Sequence, residues 1–138
     1  MEEKGIWHGA DVYDDYAHHP DELAATIDSV RTSFPGRRLV LAFQPHTYSR
    51  TAALFDDFIR ELKKADVLVL AEIYAARERN TIGISSAHLA EQIPGAHFCE
   101  TLPDVTKFLQ TEVREGDVVI TMGAGDIFRA GEALLEIE

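Results

Sequence analysis

Three compact runs dominated by apolar residues, Leu39 to Phe43, Val67 to Leu70 and Val118 to Thr121, most constrain how this chain can fold. None alternates polar with apolar residues, so both faces of each strand must be covered, as in the centre of a parallel sheet. Segments with helical spacing lie between them. Residues 21–33 place Leu23, Ile27 and Val30 on one face, with Asp21 and Glu22 in the first turn, where the helix dipole favours acids. Residues 51–64 place Leu54, Phe55, Phe58, Ile59 and Leu62 on one face and Asp56, Asp57, Arg60 and Lys63 on the other. Ser85 to Gln92 reads as a short helix and Ala96 to Cys99 as a short strand. Thr101-Leu102-Pro103-Asp104 has the pattern of a capping box, opening a helix with Val105, Phe108 and Leu109 inside, and a last helix runs from Asp126 to Leu135. At the start, Gly5 to Gly9 and Ala10 to Tyr13 form a hairpin with Gly9 in the turn. Strands alternating with helices predict a Rossmann-like α/β fold: a single domain with a mostly parallel sheet and helices on both faces.

Composition removes several classes of partner. With 138 residues the chain fits one domain, and its net charge of −11 argues against nucleic acid or an anionic membrane as a partner. The lone Cys99 cannot form an internal disulfide, and no apolar stretch has the length of a signal peptide or a membrane span, so the expected location is the cytoplasm. Met1 is followed directly by Glu2-Glu3-Lys4-Gly5 and a strand, an abrupt start expected of a domain taken from a longer protein.

In a parallel sheet the carboxyl ends of the strands share one edge, so the loops that follow them converge although they are far apart in sequence. Four loops of this kind hold the chemically loaded residues. The first is Asp14-Asp15-Tyr16-Ala17-His18-His19-Pro20. An Asp there can accept both ribose hydroxyls of a nucleotide, and an imidazole can face a phosphate or an acyl group. The plainer reading is that Asp14 or Asp15 caps the next helix while one His packs. The second loop, Gln44 to Thr51, carries His46 and Arg50. A guanidinium beside free helix N–H groups makes a receptor for carboxylate or phosphate. Alternatively Arg50 is exposed and paired with Asp14, Asp15 or Asp56, and His46 is a core-edge histidine bonded to backbone. The third loop, Glu72 to Gly83, with Arg77, Glu78, Arg79 and Asn80, reads as mobile and mostly solvated. In the fourth, Gly123-Ala124-Gly125-Asp126, glycines let backbone N–H groups approach an anion, although Asp126 can equally be a helix cap.

The chain has no Gly-x-x-x-x-Gly-Lys-Ser/Thr phosphate loop, no nucleophile elbow and no His-Glu-x-x-His zinc motif. Asp14, Asp15, His18 and His19 are residue types that suit a divalent metal, which leaves a metal-dependent phosphoesterase as a rival reading, and a stand-alone nucleotide- or amino-acid-binding module as another. Against the first, Asp14 and Asp15 point to opposite faces if the strand persists there, and no residue is assigned to a metal.

Taken in order, Asp-Asp-Tyr-Ala-His-His-Pro at 14–20, Phe-Gln-Pro-His-Thr-Tyr-Ser-Arg-Thr at 43–51 and Thr-Met-Gly-Ala-Gly-Asp-Ile at 121–127 resemble the C-terminal domain of the Mur ligases. The resemblance covers essentially the whole chain. Asp-Tyr-Ala-His is shared widely in that family, whereas Phe-Gln-Pro-His followed by Tyr-x-Arg-Thr resembles its alanine-adding branch, and the related murein-peptide recycling ligase shares the first motif but not the second. The resemblance implies that residues 1–138 belong to a three-domain enzyme whose UDP-binding N-terminal domain and central ATPase domain lie outside this chain, so that the isolated chain is inactive. Such an enzyme activates the carboxylate of UDP-N-acetylmuramate with ATP and Mg2+ as an acyl phosphate, which the amine of L-alanine then attacks. By position, Asp15 would hold the ATP ribose, and Tyr16 and His18 would face the acyl phosphate and the alanine. Arg50 and His46 would bind alanine, with Gly123, Ala124, Gly125 and Asp126 supplying backbone amides to its carboxylate. Some members have Arg where this chain has Thr47, which leaves Arg50 as the sole guanidinium of its loop.

Overall fold

The computed structural model describes residues 1–138 and contains one six-stranded sheet with helices on both faces. In chain order the elements are β1 (Glu2–Trp7), β2 (Ala10–Asp15), α1 (Pro20–Ser33), β3 (Leu39–Phe43), α2 (Tyr48–Ala53), α3 (Phe55–Leu62), β4 (Val67–Ala71), α4 (Ser86–Glu91), β5 (His97–Cys99), α5 (Leu102–Glu112), β6 (Val118–Met122) and α6 (Phe128–Leu135). The spatial order is β1-β2-β6-β3-β4-β5. Only β1 is antiparallel to its neighbour, as the hairpin predicts; β2, β6, β3, β4 and β5 pair in parallel. The Rossmann-like arrangement expected from the alternation of elements is therefore the observed one.

The apolar runs are buried on both sides because successive side chains point to opposite faces. Leu39, Leu41 and Phe43 of β3 pack with Leu23, Ile27 and Val30 of α1 and Phe58 and Leu62 of α3. Val40 and Ala42 of the same strand pack with Val105 and Leu109 of α5 and Ala130 and Leu134 of α6. At the amino ends of the strands, three ion pairs fasten the sheet: Arg37 to Asp11 at 2.7 Å, Arg38 to Asp117 at 2.7 Å and Arg31 to Asp66 at 2.9 Å. No helix is long and apolar enough to cross a membrane.

Two local expectations change. The helix expected over 51–64 begins earlier, at Tyr48, and breaks at Leu54 into α2 and α3. Thr47 supplies the earlier start, accepting a hydrogen bond from the Arg50 N–H at 3.4 Å. At α5, Thr101 accepts from the Asp104 N–H at 3.3 Å, but the Asp104 side chain makes no return bond, so only half of the expected capping box forms.

The Phe43 and Phe58 rings meet at 5.6 Å between centroids in the fully buried space under α3. Phe58→Ala empties that space and is expected to destabilise the domain by about 3–5 kcal/mol. Urea unfolding followed by circular dichroism checks this, with the midpoint falling and the slope unchanged.

Candidate functional site

β2 delivers the first loop, and its alternation separates the paired carboxylates. Asp14 turns toward β6, where its Oδ1 accepts from the Thr121 hydroxyl at 2.8 Å, and burial pushes its carboxyl above the ordinary value. Asp15 turns toward α1, accepting from the Ala17 N–H at 2.9 Å and the Thr26 hydroxyl at 2.8 Å. The two carboxylates that a metal-dependent phosphoesterase would use together are thus directed apart. Neither Asp caps α1. His19 does: its Nδ1 accepts from the Asp21 N–H at 3.2 Å, and Glu22 closes a capping box by accepting from the His19 N–H at 3.0 Å. That bond, with a second from the His18 N–H, holds the Glu22 carboxyl below its ordinary value.

His18 stands over this cap with Nδ1 3.2 Å from the Tyr16 carbonyl. A carbonyl only accepts, so Nδ1 carries the proton and Nε2 is left as the open nitrogen. Tyr16 is 70% exposed, with its ring edge-on to His18. The His18 ring lies 5.7 Å from that of His46 at the end of β3, and His46 stacks in turn on Tyr74 at the same centroid distance. Arg50, inside the first turn of α2, places Nη1 3.4 Å from His46 Nδ1. A guanidinium only donates, so here Nδ1 is the acceptor and the proton sits on Nε2. Burial lowers the His46 pKa, and the neighbouring His18 and Arg50 lower it further. Arg50 forms no ion pair with Asp14, Asp15, Asp56 or any other acid.

Thr47, between His46 and Arg50, has φ 66° and ψ 147°, a backbone region that β-branched residues rarely enter, at a cost of order 1–3 kcal/mol. It is held there by its N–H donating to the Tyr74 carbonyl at 2.8 Å and by its own carbonyl accepting from the Thr51 hydroxyl at 2.7 Å.

The third loop is mostly exposed, as its charges imply, but it is tied down at several points. Tyr74 bridges to His46 in parallel pairing, and the Tyr74 N–H donates to the Pro45 carbonyl at 2.9 Å. Glu78 accepts from both the hydroxyl and the N–H of Ser49, which hold its carboxyl below the ordinary range. Glu72 accepts from the Ser86 N–H at 3.0 Å and from the hydroxyl of Ser85, the residue that caps α4, and Asn80 closes the turn onto Gly83 and Ile84. Arg77, Arg79 and Asn80 are exposed, as expected, and Glu78 is half-buried.

In the fourth loop the Gly123 N–H donates to the Asp15 carbonyl at 3.0 Å. Gly123 has φ 152°, and a Cβ there would lie 2.7 Å from the Gln44 carbonyl oxygen. A Cβ on Gly125 would lie 2.6 Å from Tyr74 Cγ. Asp126 is not a helix cap; its Oδ1 accepts from the Gln44 carboxamide at 3.0 Å. The sequence-based roles had passed over Gln44, Tyr74 and Glu78. The one available signal was Gln44 itself, a polar residue directly after a fully apolar strand, and it is only 5% exposed.

The structure therefore brings His18, His46, Arg50 and Gly125 into one chain of contacts running through Tyr74, with Tyr16 at its open end and a cleft of about 260 Å3 beside it lined by Gln44, Glu72, Tyr74 and Asp126. Asp15 lies next to this cluster, directed at α1. A larger groove, about 650 Å3 between α5 and α6, contains none of these residues.

Residues 1–125 match the family described as Mur ligase, glutamate ligase domain. The chain belongs to that family. It is 50% identical over 140 residues to the UDP-N-acetylmuramate–L-alanine ligase of Lachnospira eligens and 48% identical over 140 residues to that of Clostridium novyi, in each case covering 99% of this chain and 30% of the relative. The chain thus spans about 30% of the length of the curated relatives it matches. Among solved structures, the UDP-N-acetylmuramate-alanine ligase of Thermotoga maritima superposes with a TM-score of 0.75 at 28% identity, over 94% of this chain and 26% of that one. A domain of a related Haemophilus ducreyi ligase gives the same TM-score at 20% identity and covers 97% of this chain, a likeness of fold.

For this Mur ligase domain, the lowered His46 pKa has a definite sign. The unfolded chain takes up its proton near pH 6.5 and the folded chain only below that, so the stability present above this value declines as the pH falls through that window. In an NMR titration His46 is expected below the ordinary histidine range, and His18→Asn, which removes one of the causes, is expected to move it up.

Proposed function

We propose that this chain is the C-terminal domain of an ATP-dependent ligase that joins L-alanine to UDP-N-acetylmuramate through an acyl phosphate, in the synthesis of peptidoglycan precursors. The observation that carries the reading is the identity of 50% across nearly the whole chain with a UDP-N-acetylmuramate–L-alanine ligase. The site adds chemical support. A half-buried guanidinium without an acidic partner, beside a neutral imidazole, is suited to an amino-acid carboxylate. In this reading Arg50 and His46 hold the alanine, and His18 and Tyr16 face the acyl phosphate. Asp15, each of whose oxygens takes one internal hydrogen bond, keeps lone pairs for the ATP ribose.

Amide formation of this kind needs two reactants held together and growing negative charge stabilised, more than it needs a nucleophile from the protein. A domain offering Arg50, two histidines and backbone amides suits a lid that closes on the acyl phosphate and excludes water. In this reading the triphosphate and Mg2+ belong mainly to the central domain, since this chain has no phosphate loop. The enzyme acts in the cytoplasm, and its partners are its own other two domains and its substrates, with neither nucleic acid nor membrane among them.

The test is phosphate release by the full-length enzyme given ATP, Mg2+ and UDP-N-acetylmuramate, with and without L-alanine. Release that depends on alanine is expected, and none from the isolated domain. Arg50→Ala removes charge-assisted hydrogen bonds worth about 1.5–3 kcal/mol and is expected to raise KM for L-alanine about 10- to 100-fold with a smaller change in kcat. Release indifferent to alanine points to another amino donor.

A further inference from the structure

We propose that Gln44 is a positioning residue for the amino-acid carboxylate: its buried carboxamide fixes the Gly123–Asp126 loop so that two backbone N–H groups, those of Ala124 and Gly125, are kept free for that anion. This rests on the ligase reading above.

Of the five consecutive amides from Gly123 to Ile127, three are spent inside the domain. Gly123 donates to the Asp15 carbonyl at 3.0 Å, and Asp126 and Ile127 both donate to Gln44 Oε1 at 3.1 Å. Ala124 and Gly125 have no internal acceptor. The other end of the same carboxamide donates to Asp126 Oδ1 at 3.0 Å and to the Glu72 carbonyl at 3.5 Å. Only one orientation of the amide satisfies all four partners, since flipping it would set an NH2 against two N–H groups and an oxygen against a carboxylate. Only a group with a donor and an acceptor at one tip can do this. Gln44 thereby claims the positive end of α6 that would otherwise compete for the anion, and leaves the preceding two N–H groups as the donors.

Those donors belong to the cluster that holds Arg50. Gly125 lies against Tyr74, Tyr74 stacks on His46, and His46 accepts from Arg50. Gln44 is also two residues before His46 on one loop, so a shift of its side chain moves the amides relative to the guanidinium. With Arg50 the sole guanidinium of its loop, this pair of amides supplies the remaining donors to the same anion.

Gln44→Glu in the full-length enzyme tests this. Its Oε1 still accepts from Asp126 and Ile127, but its other oxygen meets the Asp126 carboxylate and the loop is pushed away. KM for L-alanine is expected to rise about tenfold, as for one charge-assisted hydrogen bond, while KM for ATP and for UDP-N-acetylmuramate stay within about twofold. Discrimination between L-alanine and L-alaninamide, which lacks the carboxylate, is expected to shrink. Gln44→Glu with Asp126→Asn exchanges donor and acceptor and should recover most of the lost affinity; it also carries the test if the single variant does not fold. An unchanged KM for L-alanine, a rise in KM for ATP instead, or undiminished discrimination against alaninamide overturns the role of Gln44. Wild-type enzyme without alanine-dependent release overturns the ligase reading itself, and this proposal with it.

Discussion

The structure depends on β6 being hydrogen-bonded between β2 and β3 and parallel to both. The register aligns Asp15 with Met122, Met122 with Phe43, and Phe43 with Leu70, so four strands end in one row. Neighbouring strands lie about 4.8 Å apart, so loops starting 108 residues apart in sequence, at Asp15 and Gly123, begin side by side. β3 and β6 are buried on both faces, and a slip by one residue would turn Phe43 or Met122 away from its cluster. The packing of the core thus brings the loops of the site together at one edge.

Within that row, electrostatics are set by which acids are already occupied. The chain carries a net charge of −11, yet Arg50 faces none of it directly. Asp14 is taken by Thr121, Asp15 by Ala17 and Thr26, Glu22 by the amides of His18 and His19, and Glu78 by Ser49. Each of these carboxylates accepts hydrogen bonds from neutral donors, and the one ion pair among them that does not depend on a histidine is that of Asp15 with the N-terminal ammonium at 3.9 Å, so none of them pairs with Arg50. An arginine left unpaired in so acidic a chain keeps its attraction for an incoming anion, whereas a surface ion pair would have offset it for little gain in stability.

The fold was legible because burial leaves a simple pattern: unbroken apolar runs for two-sided strands and residues three or four apart for one-sided helices. What escaped depends on partners that the local sequence does not contain. His19 caps α1 although histidine is a poor statistical cap, because Glu22 supports it from the next turn. The third loop is solvated at Arg77, Arg79 and Asn80 as it reads, but the anchoring of Glu78 by Ser49, 29 residues away, has no local signal. Gln44 finds its partners 82 and 83 residues along the chain. The motif residues Asp15, His18, Arg50 and Gly125 could be picked out by type and spacing, but the framework of Gln44 and Tyr74 that sets their mutual geometry could not.

The open character of the edge bears on how such a domain can act. Tyr16 is mostly exposed and Arg50 only half-buried, so in the isolated domain water screens both. The interaction of a guanidinium with an anion strengthens several-fold as the effective dielectric falls from that of water toward that of a protein interior. A guanidinium at such an edge therefore attracts an anion weakly while the edge is open and strongly once a second surface covers it. Preorganisation matters more in the second case: a covered site has no water to make up for an amide that points the wrong way. A buried carboxamide that ties three strand ends together is costly to build into a core, and it is rational only where the exact bearing of the loop above it decides how a charge is held.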